Sequence, residues 1–297
     1  MFKSKRKFFL LILLLILLVS IFYIFEQEYK LPNMNFYANS GSAIQFIKSD
    51  NKGELKVQET WSNQYLSYYG IENIIRVSQN TIVINTDNQS FLFDTNKMNI
   101  KKTFDGVCLG YSLKYNQIII NDSFGIVSSI NLMTDEVVII GTIIQDLMIP
   151  YFSKIVFTNE DEFMFLGKTK NDEESVLNYN MESKKLSEEN KLNDVQCIPK
   201  IALKDKRILC RDKNNNLNFF IYNLEVNSIK YLESLHTHRI GSYVEEMDAI
   251  FYTNLTLGLM GDKWNTRIIF LEEDKSYLIS KKYMNLMLQN PKGFNLR

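Results

Sequence analysis

The chain has 297 residues, in which 34 lysines and arginines are matched by 34 aspartates and glutamates, and it holds only three cysteines and two histidines. Charge balance without a clustered basic footprint in the body of the chain excludes nucleic acid as a partner. Three cysteines in so long a chain exclude a disulfide-stapled scaffold.

The first element is the most specific. Residues 1–7, MFKSKRK, carry Lys3, Lys5, Arg6 and Lys7 and no acid, and an unbroken apolar run follows from Phe8 to Phe25. As a helix these 18 residues span roughly 27 Å, close to the ~30 Å hydrocarbon core of a bilayer. The run exceeds a signal-peptide core, and no small-x-small triplet stands close behind it, so it reads as an uncleaved signal anchor. The basic flank is then cytoplasmic and residues 8–25 contact the lipid bilayer. Residues 26–33 form a short tether, and residues 34–297 form a periplasmic or extracellular domain. All the acidic residues lie after residue 25 and four of the basic ones do not, so the part outside the membrane carries about −4.

Beyond the anchor the pattern is β. An Ile followed by apolar residues and a nearby Asn or Asp recurs as IVINTD at 82, IIIND at 118, IVFTN at 155, ILCRD at 208 and IFYTN at 250, with a further copy, IQFIKSD, at 44. A second motif, a large apolar residue, then Asn or Asp, then a polar step, recurs as FDTNKMNI at 93, INLMTDEV at 130, YNMESKKL at 179 and YNLEVNSI at 222. Residues 80–104 resolve into β-branched and apolar runs separated by polar turns, and with the preceding IENIIRVS they make four short strands. Four strands repeated about every 40 residues are the signature of a propeller blade. The Asn or Asp of the second motif suits the turn between third and fourth strands, where its side chain bonds the backbone two residues on.

In this respect the chain resembles the β-propeller repeat proteins, particularly the quinoprotein-like class, whose blades carry an apolar-x-Asp-x-x-Thr-Gly turn into the last strand. The resemblance covers about residues 34–285. It departs from that class in lacking the Gly after each turn and any docking Trp. The expectation is an all-β propeller of about six four-stranded blades, five to seven being compatible with the spacing. LPNMNFYANS and SYLISKKYMNLML are the segments expected to join and close the ring.

Candidate chemistry is sparse. His236 and His238, in LHTHRIG, would project from one face of a strand and could place two metal ligands. A lone His-x-His pair reads more simply as surface histidines, and no cofactor is expected. The acidic pairs at Asp172–Glu174, Glu188–Glu189, Glu245–Glu246 and Glu272–Asp274 bear on a glycosidase reading, which needs two carboxylates flanking one bond. All but Glu245–Glu246 fall in turn-like runs. Cys197 and Cys210 lie in neighbouring strands about a turn at Lys204–Lys206, but simple pairing leaves them out of line, so buried free thiols are expected.

The longest repeat step, from Ile155 to Ile208, places about 13 extra residues in this region, and its most polar run is residues 168–174. That run is expected to project as a loop. Its Lys168, Lys170, Asp172, Glu173 and Glu174 are the candidate contacts for a protein partner of the cell envelope or the extracellular space. Two functional readings follow: a membrane-tethered interaction module, which the residues favour, and a carbohydrate-active or other hydrolytic enzyme.

Overall fold

The structure is a computed structural model that describes residues 29–39, 43–62, 71, 73–78, 80–86, 88–143, 155–215, 218–235, 239–256, 263–280 and 285–288. Residues 8–25 and His236 and His238 lie outside them. Among the described residues no helix is long and apolar enough to cross a membrane.

The described strands form six four-stranded antiparallel sheets. Strands β1 (Asn35–Asn39), β2 (Ala43–Ser49) and β3 (Leu55–Ser62) are the outer three of blade 1. Blade 2 holds β4 (Asn73–Ser78), β5 (Thr81–Asn85), β6 (Gln89–Asp94) and β7 (Asn99–Asp105), and blade 3 holds β8 (Val107–Ser112), β9 (Gln117–Asn121), β10 (Ile126–Asn131) and β11 (Val137–Thr142). Blade 4 holds β12 (Val156–Phe157), β13 (Glu162–Lys168), β14 (Glu174–Asn180) and β15 (Lys185–Glu188), after which a short helix α1 (Asn190–Asp194) crosses to the next blade. Blade 5 comprises β16 (Cys197–Leu203), β17 (Arg207–Asp212), β18 (Phe219–Asn223) and β19 (Ser228–Leu232), and blade 6 comprises β20 (Arg239–Val244), β21 (Ala249–Thr256), β22 (Lys263–Phe270) and β23 (Lys275–Ser280). The last strand, β24 (Asn285–Leu288), pairs with β1 as the innermost strand of blade 1, with Phe36 opposite Leu288. The two segments expected to close the ring do so. A six-bladed propeller results.

The core is divided into six wedges, one between each pair of neighbouring blades. The second strand of each blade is covered on both faces, which is why it reads as a continuous apolar run and not as alternation. Its second residue is Phe36, Ile82, Ile118, Phe163, Ile208 or Ile250, and in every blade that side chain packs into the wedge toward the preceding blade. Its successor, Tyr37, Val83, Ile119, Met164, Leu209 or Phe251, packs toward the following one. This corrects the repeat register at two points. Ile155 immediately precedes β12, the innermost strand of its blade, and Ile44 lies in β2, a third strand, so neither is equivalent to Ile82. The long step from Ile155 to Ile208 therefore reflects one extra strand and the α1 connection, not an enlarged loop at 168–174.

The second motif forms the turn expected of it. Asp94, Asn131, Asn180 and Asn223 end the third strands, and a side-chain oxygen of each accepts from the backbone N–H groups of Asn96, Met133, Ser183 and Glu225, at 2.8–2.9 Å. Four residues after each of them the backbone turns left-handed, at Met98, Asp135, Lys184 and Asn227, with φ between 53° and 60°. At the place where the quinoprotein-like pattern has glycine, this chain has ordinary residues held in the conformation that glycine would take without strain.

The cysteines depart from expectation. Cys197 and Cys210 are joined by a disulfide, with Cα atoms 5.1 Å apart. Up to Ile201–Leu209 the hairpin pairs as the turn dictates, but a bulge between Pro199 and Ile201 shifts the register so that Pro199 faces Cys210. Cys197, two residues from Pro199, thereby comes onto the same face as Cys210. Proline is tolerated here because β16 is an edge strand and the bulge interrupts its ladder.

Candidate functional site

Antiparallel order places the first-to-second turn of each blade at one end of the ring and the second-to-third turn at the other. Residues 29–34 lead into β1, a second strand, so the chain arrives at the end with the first-to-second turns. The opposite end carries the connection Thr169–Glu173 between β13 and β14, closed by the pair Lys168 and Glu174. The loop at 168–174 thus projects, as a tight hairpin. Thr169 N donates to Glu173 O at 2.9 Å, Asp172 N donates to Thr169 O at 3.0 Å, and Asp172 is left-handed at φ 64°.

Its charges are partly spent within the protein. Lys168 Nζ pairs with Asp172 at 2.6 Å, and Glu174 pairs with Lys213 of the blade 5 connection at 3.2 Å. Lys170, Asp172 and Glu173 are exposed.

On blade 3 the neighbouring turn displays Phe124, which is 83% exposed. Asp122 Oδ1 accepts from the N–H groups of Phe124 at 2.9 Å and Ile126 at 2.8 Å, and Gly125 supplies φ 83°. Gly125 O accepts from Ile143 N at 2.8 Å, and Ile143 in turn bridges Gly167, the residue before Lys168. A Cβ on Gly167 would lie 2.8 Å from Thr142 O, so the two backbones approach this closely only at glycine. Backbone contacts therefore join the Phe124 turn to the strand that carries the 169–173 hairpin, across blades 3 and 4, and the Glu174–Lys213 ion pair extends that surface to blade 5.

Contacts between blades stiffen both ends. At the end of the second-to-third turns, Asn85 Nδ2 donates to Cys108 O at 2.7 Å, and Ser90 Oγ donates to Asn85 Oδ1 and accepts from Cys108 N, all buried. Burial pushes the Cys108 thiol up to about 12. At the opposite end Asp161 accepts from Lys114 Nζ at 2.6 Å and from the Tyr115 hydroxyl at 2.5 Å, and these bonds, Lys114's first, hold its carboxyl below the usual aspartate range. Asp248 accepts in the same way from Arg207 at 2.9 Å and from Tyr243 at 2.8 Å, and burial, aided by that bond, raises the Tyr243 hydroxyl.

The remaining candidates are scattered. Glu245 and Glu246, expected outside a turn, form a short 3-10 turn between β20 and β21, at the end opposite Asp172–Glu174. Glu188 ends β15 and accepts from Ser175 Oγ at 3.1 Å, next to Glu174, Glu189 immediately precedes α1, and Glu272–Asp274 lie in the outer turn of blade 6. The four acidic runs do not share a site. Among the described residues no three His, Cys, Asp or Glu side chains converge as metal ligands would. An open depression of about 490 Å³ between blades 5 and 6, with Arg267 bonded to Ser276 and Tyr252 beside it, contains none of the sequence candidates.

No family model matches the sequence, and no curated protein matches it. Among solved structures the chain is similar to "the structure of putative TolB from Agrobacterium tumefaciens", with a TM-score of 0.52 and 8% identity over 84% of this chain and 89% of that one. At that identity the likeness shows a shared propeller fold.

Proposed function

We propose that the chain is a membrane-anchored, extracytoplasmic docking module whose partner is a protein of the cell envelope or the extracellular space. The observation that carries this reading is Phe124, held out by a hydrogen-bonded turn whose backbone is linked to the strand bearing the 169–173 hairpin, with Lys213 joined to that strand's neighbour by an ion pair. A rigid aromatic anchor rimmed by charged groups is the arrangement that concentrates binding energy at protein interfaces. The surface lies at the end of the ring away from residues 29–34, where a tethered domain presents itself to other molecules.

Two further features support the location. The apolar run at residues 8–25 has bilayer length and a basic flank. A buried disulfide suits an oxidising compartment outside the cytoplasm. The propeller shared with the putative TolB of A. tumefaciens supplies a rigid scaffold of the kind that carries binding residues on its loops.

The test is crosslinking of the full-length protein in its native membrane, comparing the wild type with Phe124→Ser and with residues 168–174 replaced by an Asn-Gly turn. Both variants are expected to fold and to lose a specific protein adduct. An adduct unchanged in both would place the docking surface elsewhere on the ring.

A further inference from the structure

The chain between the apolar run and the ring is short, and its far end is packed. Only residues 26–28 separate Phe25 from Tyr29, whose N–H donates to Leu278 O at 2.6 Å and whose ring lies 5.4 Å from Phe270 and 5.5 Å from Tyr277. Leu31 is 2% exposed, in the wedge between blades 6 and 1, and Ser49 Oγ accepts from Met34 N at 2.7 Å and donates to Pro32 O. Residues 29–33, expected as part of the tether, are thus packed against the ring. If the run ending at Phe25 spans the bilayer, the membrane surface lies within about 14 Å of Tyr29.

A cavity of about 580 Å³ opens at this point. Leu31, Pro32 and Met247 give it apolar walls, and Lys30, Lys52 and Glu54 its charge. Lys30 is held against the β2–β3 turn: a Cβ on Gly53 would come within 2.6 Å of Lys30 Cβ, and Gly53 has φ 77°. The neighbouring acid, Asp50, is engaged by Lys56 Nζ at 2.7 Å and by the N–H groups of Lys52 and Glu54. Two lysines therefore stand against one carboxylate in a cleft that also has apolar walls.

We propose that this cleft binds the headgroup of a membrane phospholipid, with Lys30 and Lys52 meeting its phosphate and Pro32 and Met247 meeting the apolar carbons beside it. The proposal rests on the anchored reading given above. It follows from position and charge together: the cleft faces the membrane-proximal end, within reach of headgroups, and its free charge is complementary to a phosphate monoanion. Lipid contact there would set the tilt of the ring, turning Phe124 away from the bilayer.

The test uses the full-length chain in nanodiscs of phosphatidylethanolamine and phosphatidylglycerol, with a photo-crosslinking amino acid in place of Asn51 or, as control, in place of Asn171 on the opposite face. Mass spectrometry should find phospholipid adducts at position 51 at least tenfold more often than at 171. The adduct should fall at least fivefold in a Lys30→Glu, Lys52→Glu background and persist in Lys30→Arg, Lys52→Arg. Adducts equal at the two positions, or undiminished by the glutamate pair, overturn the headgroup site while the anchor stands. Protein that fails to co-purify with nanodiscs overturns the anchored reading and this proposal with it.

Discussion

Cys197 and Cys210 meet because the bulge at Pro199–Ile201 moves one strand past the other by a single residue, bringing two side chains onto one face. The bridge closes a short loop, with a sequence separation of 13. Loop-closure entropy assigns such a crosslink about 3 kcal/mol. Alkylation of the unreduced, unfolded protein should therefore modify one cysteine of three. Reduction, or the Cys197→Ser, Cys210→Ser pair, should lower the unfolding free energy by about that amount, measured by urea denaturation.

The left-handed turn residues predict a gain in stability. Lys184 takes φ 54° at an exposed position, and its pairing with Glu136, at 3.6 Å between exposed groups, contributes little. Lys184→Gly should stabilise the fold by about 0.5–1 kcal/mol, the left-handed cost less the entropy of glycine. Asn227→Gly should not, because Asn227 Oδ1 accepts from the Tyr222 hydroxyl at 3.0 Å. Thermal unfolding of the two variants, compared with the wild type, separates the cases.

The link between blades 3 and 4 predicts a pH dependence. The Asp161 carboxyl titrates below its ordinary 3.8 in the folded state. Its contribution is therefore present above that ordinary value and is lost as pH falls through the lower, folded one. Asp161→Asn should be less stable than the wild type at pH 7, and the difference should begin to close once pH falls below 3.8. A gap independent of pH, in urea midpoints, would assign the effect to shape and not to charge.

Cys108 should be chemically silent. Its thiol is buried and displaced to about 12, and the thiolate is the reactive form. Native protein treated with a maleimide at pH 8 should show no label, with labelling appearing at the rate of global unfolding. Fast native labelling would mean that blades 2 and 3 open locally.

Much of the ring was legible in the sequence for a simple reason: each second strand is covered on both sides, so Ile82, Ile118, Ile208 and Ile250 stand in uninterrupted apolar runs. The turn motif was equally legible, because Asp94, Asn131, Asn180 and Asn223 do local work that depends on no distant residue. What depended on register was not. IVFTN at 155 has the composition of a second strand and the place of a first, and composition alone cannot tell a strand from its neighbour. The disulfide was hidden by a one-residue bulge, to whose position Pro199 was the sole pointer. Phe124 gave no signal either, since a phenylalanine after Asn-Asp-Ser reads as the start of a strand. Only the Asp122 turn, with Gly125 behind it, shows that it points outward.

The pairing of β24 with β1 sets the order in which this protein can be completed. The ribosome makes β1, β2 and β3 first and their inner neighbour last, so blade 1 spends the whole of synthesis as three strands with an open edge. Folding cannot finish vectorially, and the final contact joins residues as distant as Phe36 and Leu288. A chain cut short before Asn285 would not be a smaller propeller. It would be five complete blades and one of three strands, in which β1 lacks its inner partner and offers unpaired backbone that favours aggregation.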